Sequence, residues 1–339
     1  MKAAIYRGRQ NVEVCELPKP EPSDNDVLIK NICSSICGTD VAVYQHGSAT
    51  GHRIFENGEF GHETVSRIVA KGKNVSEFQI GDRVYPYPLL AAGDPKRAGT
   101  IGGFSEYILV PNAKADSSLY QVDNRISDKA ACLIEPFTVG CRAARRAQPV
   151  PGEKAVVFGC GTIGIAAAIA LKYFGLQQVM ICDLSPFRLS IAKKLGFEIS
   201  DLSIDDFAET AKKYFGQAHS LSGLVPDVDC YIDATGSDKI LDLFMQTGKI
   251  ESRFVNVAVN KTLRPLDMLR LTYSSQSIIG SGGYMPQDVK DVMNIMKSGR
   301  WNIESLITHE FPLSQINNAL ETASDANRAL NVVINFGTD

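Results

Sequence analysis

The sequence lacks a long apolar run, and this absence limits the class of protein that it can encode. Its longest apolar stretch, residues 163–171, is interrupted by Gly164 and followed by Lys172, whereas a membrane-spanning helix needs about 20 apolar residues. The first residues, 1–7, also lack the apolar run of a secretory signal peptide. We therefore expect no membrane partner and a cytoplasmic location.

The sequence also has no excess of basic residues. It carries 35 Lys and Arg against 38 Asp and Glu, a net charge of -3, so it has no general attraction for nucleic acid or anionic lipid. Hydrophobic residues make up 44% of the chain, as in ordinary globular proteins. Its 339 residues are enough for about two domains at roughly 150 residues each.

The eight cysteines do not follow the regular spacing of a disulfide framework. Several of them stand in apolar runs, where a reduced and buried thiol is the ordinary interpretation. A disulfide-stapled fold is therefore excluded, and the expected compartment is reducing.

The order of strand-like and helix-like segments divides the chain into two domains. Up to about residue 125, short strand-like runs such as 26–34 and 64–70 alternate with turn signals, which is typical of antiparallel sheet. From Pro151 onward, strands alternate with helices, which predicts a parallel, doubly wound sheet. A last strand at 329–335 has no obvious place in that sheet, so we assign the tail to the first domain.

These segments predict an α/β protein with a doubly wound parallel Rossmann sheet and a second, mostly antiparallel β domain. The predicted domains are 1–147 together with 286–339, and 148–285.

A glycine-rich hexapeptide opens the first helix of the predicted parallel sheet. Glycines at its first, third and sixth positions permit a tight turn, close approach of a pyrophosphate and close helix packing. Asp183 ends the next strand about 20 residues later, where an acidic residue accepts hydrogen bonds from a ribose 2′-hydroxyl. The alternative is a glycine-rich turn in a domain without a cofactor. The predicted dinucleotide-binding residues are Gly159, Gly161, Thr162, Ile163, Gly164, Asp183 and Arg188.

The carboxylate of Asp183 decides which dinucleotide is expected. It would repel a 2′-phosphate, so the sequence favours NAD over NADP. Arg188, five residues later, keeps the phosphorylated cofactor as the alternative.

Three further segments offer side chains that suit a metal ion. Cys37, the pair His62-Glu63, and Glu135 before Pro136 supply a thiolate, an imidazole and carboxylates, which are ligands of Zn²⁺. Taken singly, Cys37 is better interpreted as a buried thiol, and His62 as a core histidine. Spacing alone leaves both interpretations open.

Taken in order, these segments resemble the zinc-dependent medium-chain alcohol dehydrogenases over almost the whole chain. Within that family, the segment around Glu135, followed by Arg145-Arg146, is most similar to the polyol (sorbitol) and sugar-acid branch. The segments that carry the resemblance are Ile36-Cys37-Gly38-Thr39-Asp40, Gly61-His62-Glu63, Gly81-Asp82-Arg83-Val84, Gly102-Gly103-Phe104-Ser105-Glu106-Tyr107, Leu133-Ile134-Glu135-Pro136, the glycine loop, Asp183 with Arg188, and Thr308-His309 with Phe311-Pro312-Leu313.

The resemblance implies roles for particular residues. The antiparallel domain would be a GroES-like catalytic domain that binds zinc. The implied zinc ligands are Cys37, His62 and Glu63, with Glu135 as a fourth ligand or as the holder of the zinc-bound water. The implied proton-relay hydroxyl is that of Thr39, and the implied residue that orients His62 is Asp40.

The sequence departs from the family pattern at three places. Many relatives carry a second, structural zinc on four cysteines, but residues 85–100 contain no cysteine, so we expect one catalytic zinc and no structural zinc. Ala42 replaces a relay histidine, which leaves His46 or the cofactor ribose as the alternative proton route. Gly283 stands where polyol dehydrogenases use an arginine on the substrate, so sorbitol itself is not the expected substrate.

The sequence thus predicts an enzyme that transfers hydride between NAD and a secondary alcohol, such as a polyol, sugar or sugar acid. A simple secondary-alcohol, butanediol or threonine dehydrogenase would share every motif. A non-catalytic zinc- and nucleotide-binding relative is the alternative of another class. The expected assembly is a homo-oligomer, a dimer or a tetramer.

Overall fold

A computed structural model describes residues 1–47, 54–94 and 96–337 of the chain. The strands are β1 (Lys2–Gly8), β2 (Asn11–Glu16), β3 (Val27–Ser35), β4 (Glu63–Lys71), β5 (Arg83–Pro86), β6 (Tyr107–Val110), β7 (Leu119–Gln121), β8 (Lys154–Phe158), β9 (Gln178–Asp183), β10 (Glu198–Asp201), β11 (Gln217–Ser220), β12 (Gly223–Pro226), β13 (Cys230–Asp233), β14 (Arg253–Asn256), β15 (Ser277–Gly280), β16 (Ile307–Pro312) and β17 (Asn331–Asn335). The helices are α1 (Gly38–His46), α2 (Asp128–Ala131), α3 (Ile134–Arg146), α4 (Thr162–Tyr173), α5 (Pro186–Lys194), α6 (Phe207–Phe215), α7 (Asp238–Thr247), α8 (Met268–Tyr273), α9 (Pro286–Lys297) and α10 (Ile316–Ala323).

The chain forms two compact units. Unit 1 comprises Met1–Glu135 and Met296–Asp339, and unit 2 comprises Pro136–Ile295. The predicted boundary 147/148 falls just after the end of α3, and the predicted boundary 285/286 falls at the start of α9. The compact units instead divide inside these two helices.

The packing of α3 within unit 2 explains the difference. A Cβ added to Gly140 of α3 would lie 2.6 Å from the Cβ of Ala166 in α4, so the two helices pack very closely. The guanidinium of Arg145, also in α3, donates to Asp288 of α9 at 2.6 Å. Most of α3 therefore belongs with the elements of unit 2.

Unit 1 is built around a mostly antiparallel sheet. Its strand order is β16-β17-β3-β4-β5-β7, with β6 paired to β3, and β1 and β2 form a separate hairpin. The tail contributes β16 and β17, which pair with each other in parallel, and β17 pairs antiparallel with β3. Apolar side chains of β3 and β4, including Val27, Ile29 and Ile68, lie in the buried core.

Unit 2 is built around a parallel sheet of the order β10-β9-β8-β13-β14-β15. Residues 155–158 and 179–182, in β8 and β9, are completely buried, as expected for strands covered on both faces by helices. The strand order reverses between β8 and β13, which in such sheets marks the ligand-binding crevice. The predicted fold class is therefore confirmed.

A short hairpin of β11 and β12 precedes β13 in unit 2. The sequence analysis did not predict this hairpin. Within the described ranges, none of the helices combines the length and the apolar composition that a bilayer crossing requires.

Candidate functional site

One end of the large sheet of unit 1 gathers the expected metal ligands. Strand β3 ends at Ser35, which lies opposite Glu63, the first residue of β4, in the antiparallel register. Cys37 lies two residues after Ser35, and His62 is the residue directly before Glu63. One ligand atom of each of Cys37, His62 and Glu63 lies within 4.8 Å of the other two. These three residues are called the trio below.

Two glycines fix the backbone that carries His62. Gly61 has a φ of +86°, and a Cβ there would lie 2.6 Å from the ring of Phe104. The N–H of Gly103 donates to the carbonyl of Gly61 at 2.8 Å, and a Cβ on Gly103 would lie 3.0 Å from the nitrogen of His62. Side chains at these two positions would push the two segments apart.

Cys37 is held by the start of helix α1. It caps the helix with an extended backbone, φ −76° and ψ 151°. Its N–H donates to Oδ2 of Asp40 at 3.0 Å, so Asp40 acts as the acidic partner of a capping box. The helix start thus fixes the backbone beneath the thiol.

The other carboxylate oxygen of Asp40 faces His62. The distance from Oδ1 of Asp40 to Nδ1 of His62 is 3.8 Å, and both side chains are buried. A carboxylate beside Nδ1 favours the tautomer that keeps its hydrogen there, which leaves Nε2 as the ligand nitrogen. The structure therefore places Asp40 where it can orient His62.

Burial and nearby carboxylates set the protonation of the site. Burial raises the pKa of the Cys37 thiol well above its usual value, and three carboxylates raise it further. Burial lowers the pKa of His62, but the same carboxylates outweigh this effect and the net shift is upward. These carboxylates belong to Asp40, Glu63 and Glu135. Without a metal, Cys37 and His62 therefore hold their protons more tightly, and a bound cation would displace these protons.

The buried carboxylate of Glu63 shows that the trio fits a cation. Its Oε2 makes no hydrogen bond within the described part of the chain, and leaving a buried polar group unsatisfied costs about 1–3 kcal/mol. A cation beside this oxygen would remove that cost. Thiolate, imidazole and carboxylate together suit Zn²⁺, and three protein ligands leave a position open, as in catalytic zinc sites.

Glu135 lies near the trio but outside the group of mutually close ligand atoms. It stands in the first turn of α3 and is 8% exposed. Next to the dominant effect of burial, its charge raises the pKa of the Cys37 thiol. Burial and then the same charge raise the pKa of Tyr87. The structure thus places Glu135 as an acidic neighbour of the trio.

Thr39 and His46 occupy opposite ends of α1. The Thr39 side chain lies next to the Cys37 thiol, whose pKa it lowers against the larger effect of burial. His46 is exposed in the last turn of the helix, about 10 Å along the axis from Thr39. The two side chains are therefore too far apart for a direct proton transfer.

An ion pair fastens part of the segment that holds no cysteine, residues 85–100. Arg97 pairs with the buried carboxylate of Glu59, which also accepts from the hydroxyl of Ser105. In the residues that the structure describes, the trio is the group that could hold a metal ion. The number of zinc ions per chain remains a prediction.

The glycine loop of unit 2 connects β8 to α4. Gly159 has a φ of +100°, and a Cβ on Gly164 would lie 1.8 Å from the carbonyl oxygen of Gly159, so a side chain at Gly164 would displace the turn. A Cβ on Gly161 would meet only Arg188 Nη1, at 4.0 Å. The loop thus leaves an open cradle at the N-terminus of α4, where Thr162 and Ile163 begin the helix and where phosphates bind in such loops.

Asp183 holds this loop through hydrogen bonds to the backbone. Its Oδ2 accepts from the N–H of Cys160 at 2.6 Å, and its Oδ1 accepts from the N–H of Ser185 at 2.8 Å. The Ser185 hydroxyl in turn caps α5 by accepting from the N–H of Arg188. The structure therefore brings the glycine loop, Asp183 and Arg188 together.

Two residues of unit 1, Arg83 and Tyr87, were not singled out individually by the sequence analysis. Arg83 donates to the carbonyls of Asp123 and Ile126 at 2.8 and 2.6 Å, which fastens the turn before α2. Tyr87 directly follows β5, and its pKa is raised by burial and then by the charge of Glu135. Its position three residues after the segment Gly81-Asp82-Arg83-Val84 is the signal that could have identified it.

Comparison with known proteins assigns the chain to a family. Residues 23–118 match the alcohol dehydrogenase GroES-like domain, and residues 162–298 match the zinc-binding dehydrogenase domain. L-galactonate-5-dehydrogenase of Escherichia coli (strain K12) is 30% identical, over 94% of this chain and 97% of that protein. Sorbitol dehydrogenase of Bos taurus is 29% identical, over 94% of this chain and 92% of that protein.

The fold of a solved structure agrees with these matches. The crystal structure of 2R,3R-butanediol dehydrogenase from Bacillus subtilis superimposes with a TM-score of 0.85 at 24% identity, over 99% of both chains. The chain therefore belongs to the zinc-dependent medium-chain alcohol dehydrogenase family, in its polyol branch, and is an oxidoreductase of alcohols.

Proposed function

We propose that this protein transfers hydride between a secondary alcohol and NAD, with one zinc ion per chain, and that its substrate is a polyol, sugar or sugar acid. The observation that carries the proposal is the trio, where a thiol, an imidazole and a carboxylate converge within 4.8 Å. The names of the sequence relatives, which include L-galactonate and sorbitol dehydrogenases, support this substrate class.

In this proposal Cys37, His62 and Glu63 hold the zinc ion. When bound, zinc supplies Lewis-acid stabilisation of an alkoxide. Asp40 holds His62 in the tautomer that presents Nε2. The Thr39 hydroxyl, next to the Cys37 thiol, relays the proton of the reacting alcohol by giving up its own hydrogen to a water molecule or to the cofactor ribose.

Glu135 has two possible places in this proposal. It is either a fourth ligand or an acceptor for the hydroxyl or water beside the trio. Its carboxylate and those of Asp40 and Glu63 make the site strongly acidic. Such a site lowers the effective charge of a cation, which favours substrates that bind through two neighbouring hydroxyls.

Asp183 supports NAD as the cofactor. Each of its carboxylate oxygens accepts one backbone N–H and retains a lone pair that can accept from a ribose hydroxyl. A 2′-phosphate at the same place would meet the negative charge of Asp183. The proposal therefore gives NAD a wide advantage over NADP.

Turnover of an alcohol panel tests the proposal. We expect oxidation of polyols or sugar acids with NAD, at least about 100-fold more efficient than with NADP because one buried or half-buried charge conflict costs several kcal/mol. Replacement of the carboxylate in Asp183→Ser should narrow that ratio without changing zinc content. Failure to oxidise any alcohol, or equal use of the two cofactors, would contradict the proposal.

A further inference from the structure

Tyr87 lies at the same end of the unit 1 sheet as the trio. It follows β5, which runs antiparallel to β4 with Ser66 opposite Val84. Followed for three more residues, this register leads Tyr87 toward Glu63, the first residue of β4. Strands β3, β4 and β5 are neighbours in the sheet, so the end of β3, the start of β4 and the segment after β5 lie at the same end of it.

The backbone of Tyr87 is held on both sides. Its N–H donates to the carbonyl of Ser118 at 2.9 Å, which extends the pairing of β5 with β7. Its carbonyl accepts from the N–H groups of Leu90 and Ala91 at 3.0 and 2.8 Å. These bonds fix the position from which the ring projects.

The side chain of Tyr87 is half-buried, and the charge of Glu135 acts on it. Burial and then the charge of Glu135 raise the pKa of its hydroxyl. The same carboxylate acts on Cys37 and His62 of the trio. The Tyr87 hydroxyl and the trio therefore share one acidic neighbour.

The polar groups around the trio differ in what they can donate. The carboxyl groups of Asp40, Glu63 and Glu135 are chiefly hydrogen-bond acceptors, whereas a hydroxyl can donate and accept. Thr39 supplies one such hydroxyl from α1, and Tyr87 supplies another from the end of β5. A substrate with two adjacent hydroxyls would find a partner for each of them.

We propose that Tyr87 determines specificity by hydrogen-bonding the hydroxyl adjacent to the reacting one, so that the enzyme favours vicinal diols over simple secondary alcohols. This inference rests on the proposed function, because it concerns the substrate of the same site.

The variant Tyr87→Phe tests this role, with (R,R)-2,3-butanediol and 2-butanol as a matched pair of substrates. We expect kcat/KM for the diol to fall about tenfold, as for the loss of one neutral hydrogen bond, and kcat/KM for 2-butanol to change less than about twofold. The phenylalanine ring keeps the packing, so the melting temperature should remain unchanged.

Tyr107→Phe is the control for removing a tyrosine hydroxyl from unit 1. Tyr107 pairs with Lys30 in the register of β6 and β3, about 17 Å along β3 from Ser35. This variant should leave both substrates and their ratio unchanged.

Binding without turnover provides an independent readout. The diol is titrated by calorimetry into zinc-loaded protein in the absence of NAD. We expect Tyr87→Phe to weaken diol binding about tenfold while the zinc content remains that of the wild-type protein.

The outcomes separate this inference from the proposed function. An unchanged ratio of diol to 2-butanol, with unchanged diol binding, overturns the role of Tyr87 while the dehydrogenase activity stands. An equal loss for both substrates also overturns it, since Tyr87 would then act by positioning Glu135. If the wild-type protein oxidises no alcohol, the proposed function fails, and the calorimetric comparison still decides whether Tyr87 binds a diol.

Discussion

The two units of this chain assemble their functional residues in opposite ways. In unit 2 the proposed cofactor residues come from one turn and the end of the adjacent strand, where Asp183 accepts a hydrogen bond from the loop. In unit 1 the trio comes from the end of β3 and the start of β4, which meet only through the sheet register. The cofactor loop therefore depends on local backbone geometry, and the metal site depends on the correct pairing of distant strands.

Removing one ligand should disable unit 1 alone. We expect Cys37→Ala to lose its zinc and to reduce turnover at least about 1,000-fold, because a Lewis acid supplies several kcal/mol and each 1.36 kcal/mol is a factor of ten. Affinity for NAD, measured by fluorescence titration, should stay at the wild-type level. Cys15→Ala removes a partly exposed thiol of unit 1 outside the trio and serves as the control.

Adding one methyl group should disable unit 2 alone. The Cβ of Gly164→Ala would lie 1.8 Å from the carbonyl oxygen of Gly159. We expect the variant to lose measurable NAD binding and about 1–3 kcal/mol of stability, as in other overpacked sites. Zinc content, measured by elemental analysis, should not change.

Gly161→Ala distinguishes strain from occupation of the cradle. Its Cβ meets only the guanidinium of Arg188 at 4.0 Å, and its φ of −81° suits an alanine. We expect a wild-type melting temperature and weaker NAD binding. A melting temperature as low as that of Gly164→Ala would show that the loop tolerates no side chain at either place.

Glu135→Gln should have an intermediate effect on unit 1. If the carboxylate acts at the trio, turnover should fall about 10- to 100-fold, the usual range for groups that support a metal site, with little change in melting temperature. If the carboxylate only stabilises the start of α3, the variant should lose about 1 kcal/mol of stability and keep its turnover. Both quantities are measured on the same preparation.

Removing the metal should give unit 1 a small but measurable dependence of its thermal stability on pH. Burial raises the pKa of Asp40 to about 6, and the pKa of His62 is also raised. Both groups bind a proton more tightly in the folded state, so their contribution to stability is present at low pH and is lost as pH rises through the folded-state values.

Between pH 5 and pH 8, the melting temperature of the chelated protein should therefore fall by a few degrees. This fall is measured relative to the zinc-loaded protein over the same pH range. In Asp40→Asn, where the amide does not titrate, this difference should shrink. A chelated wild-type protein whose melting temperature shows the same pH profile as the zinc-loaded form would contradict the electrostatic description of the site.

The contrast between the units also explains what the sequence could predict. The order of strand, glycine turn, helix and Asp183 is local, and the structure has α4 from Thr162 to Tyr173 directly after the turn. For Cys37 and His62, spacing left a buried thiol and a core histidine open. The register that sets Ser35 opposite Glu63 cannot be read from one strand at a time, and only the family resemblance connected these residues.

Other features had no local signal. The units divide inside α3 and α9, and a boundary within a continuous helix leaves no turn residue to mark it. The hairpin of β11 and β12 is only four residues per strand, too short for a reliable alternation pattern. Tyr87 gains its proposed role from Glu135, which lies in a different segment of the chain.

Chelation followed by zinc restoration tests the central claim most directly. NAD reduction by a polyol or a sugar acid is measured for the purified protein, for the protein stripped of metal, and after titration with zinc. We predict that activity disappears on stripping and returns in full at one zinc per chain, with NAD affinity unchanged throughout. Activity that persists in the stripped protein, or that requires two zinc ions per chain, would contradict the account.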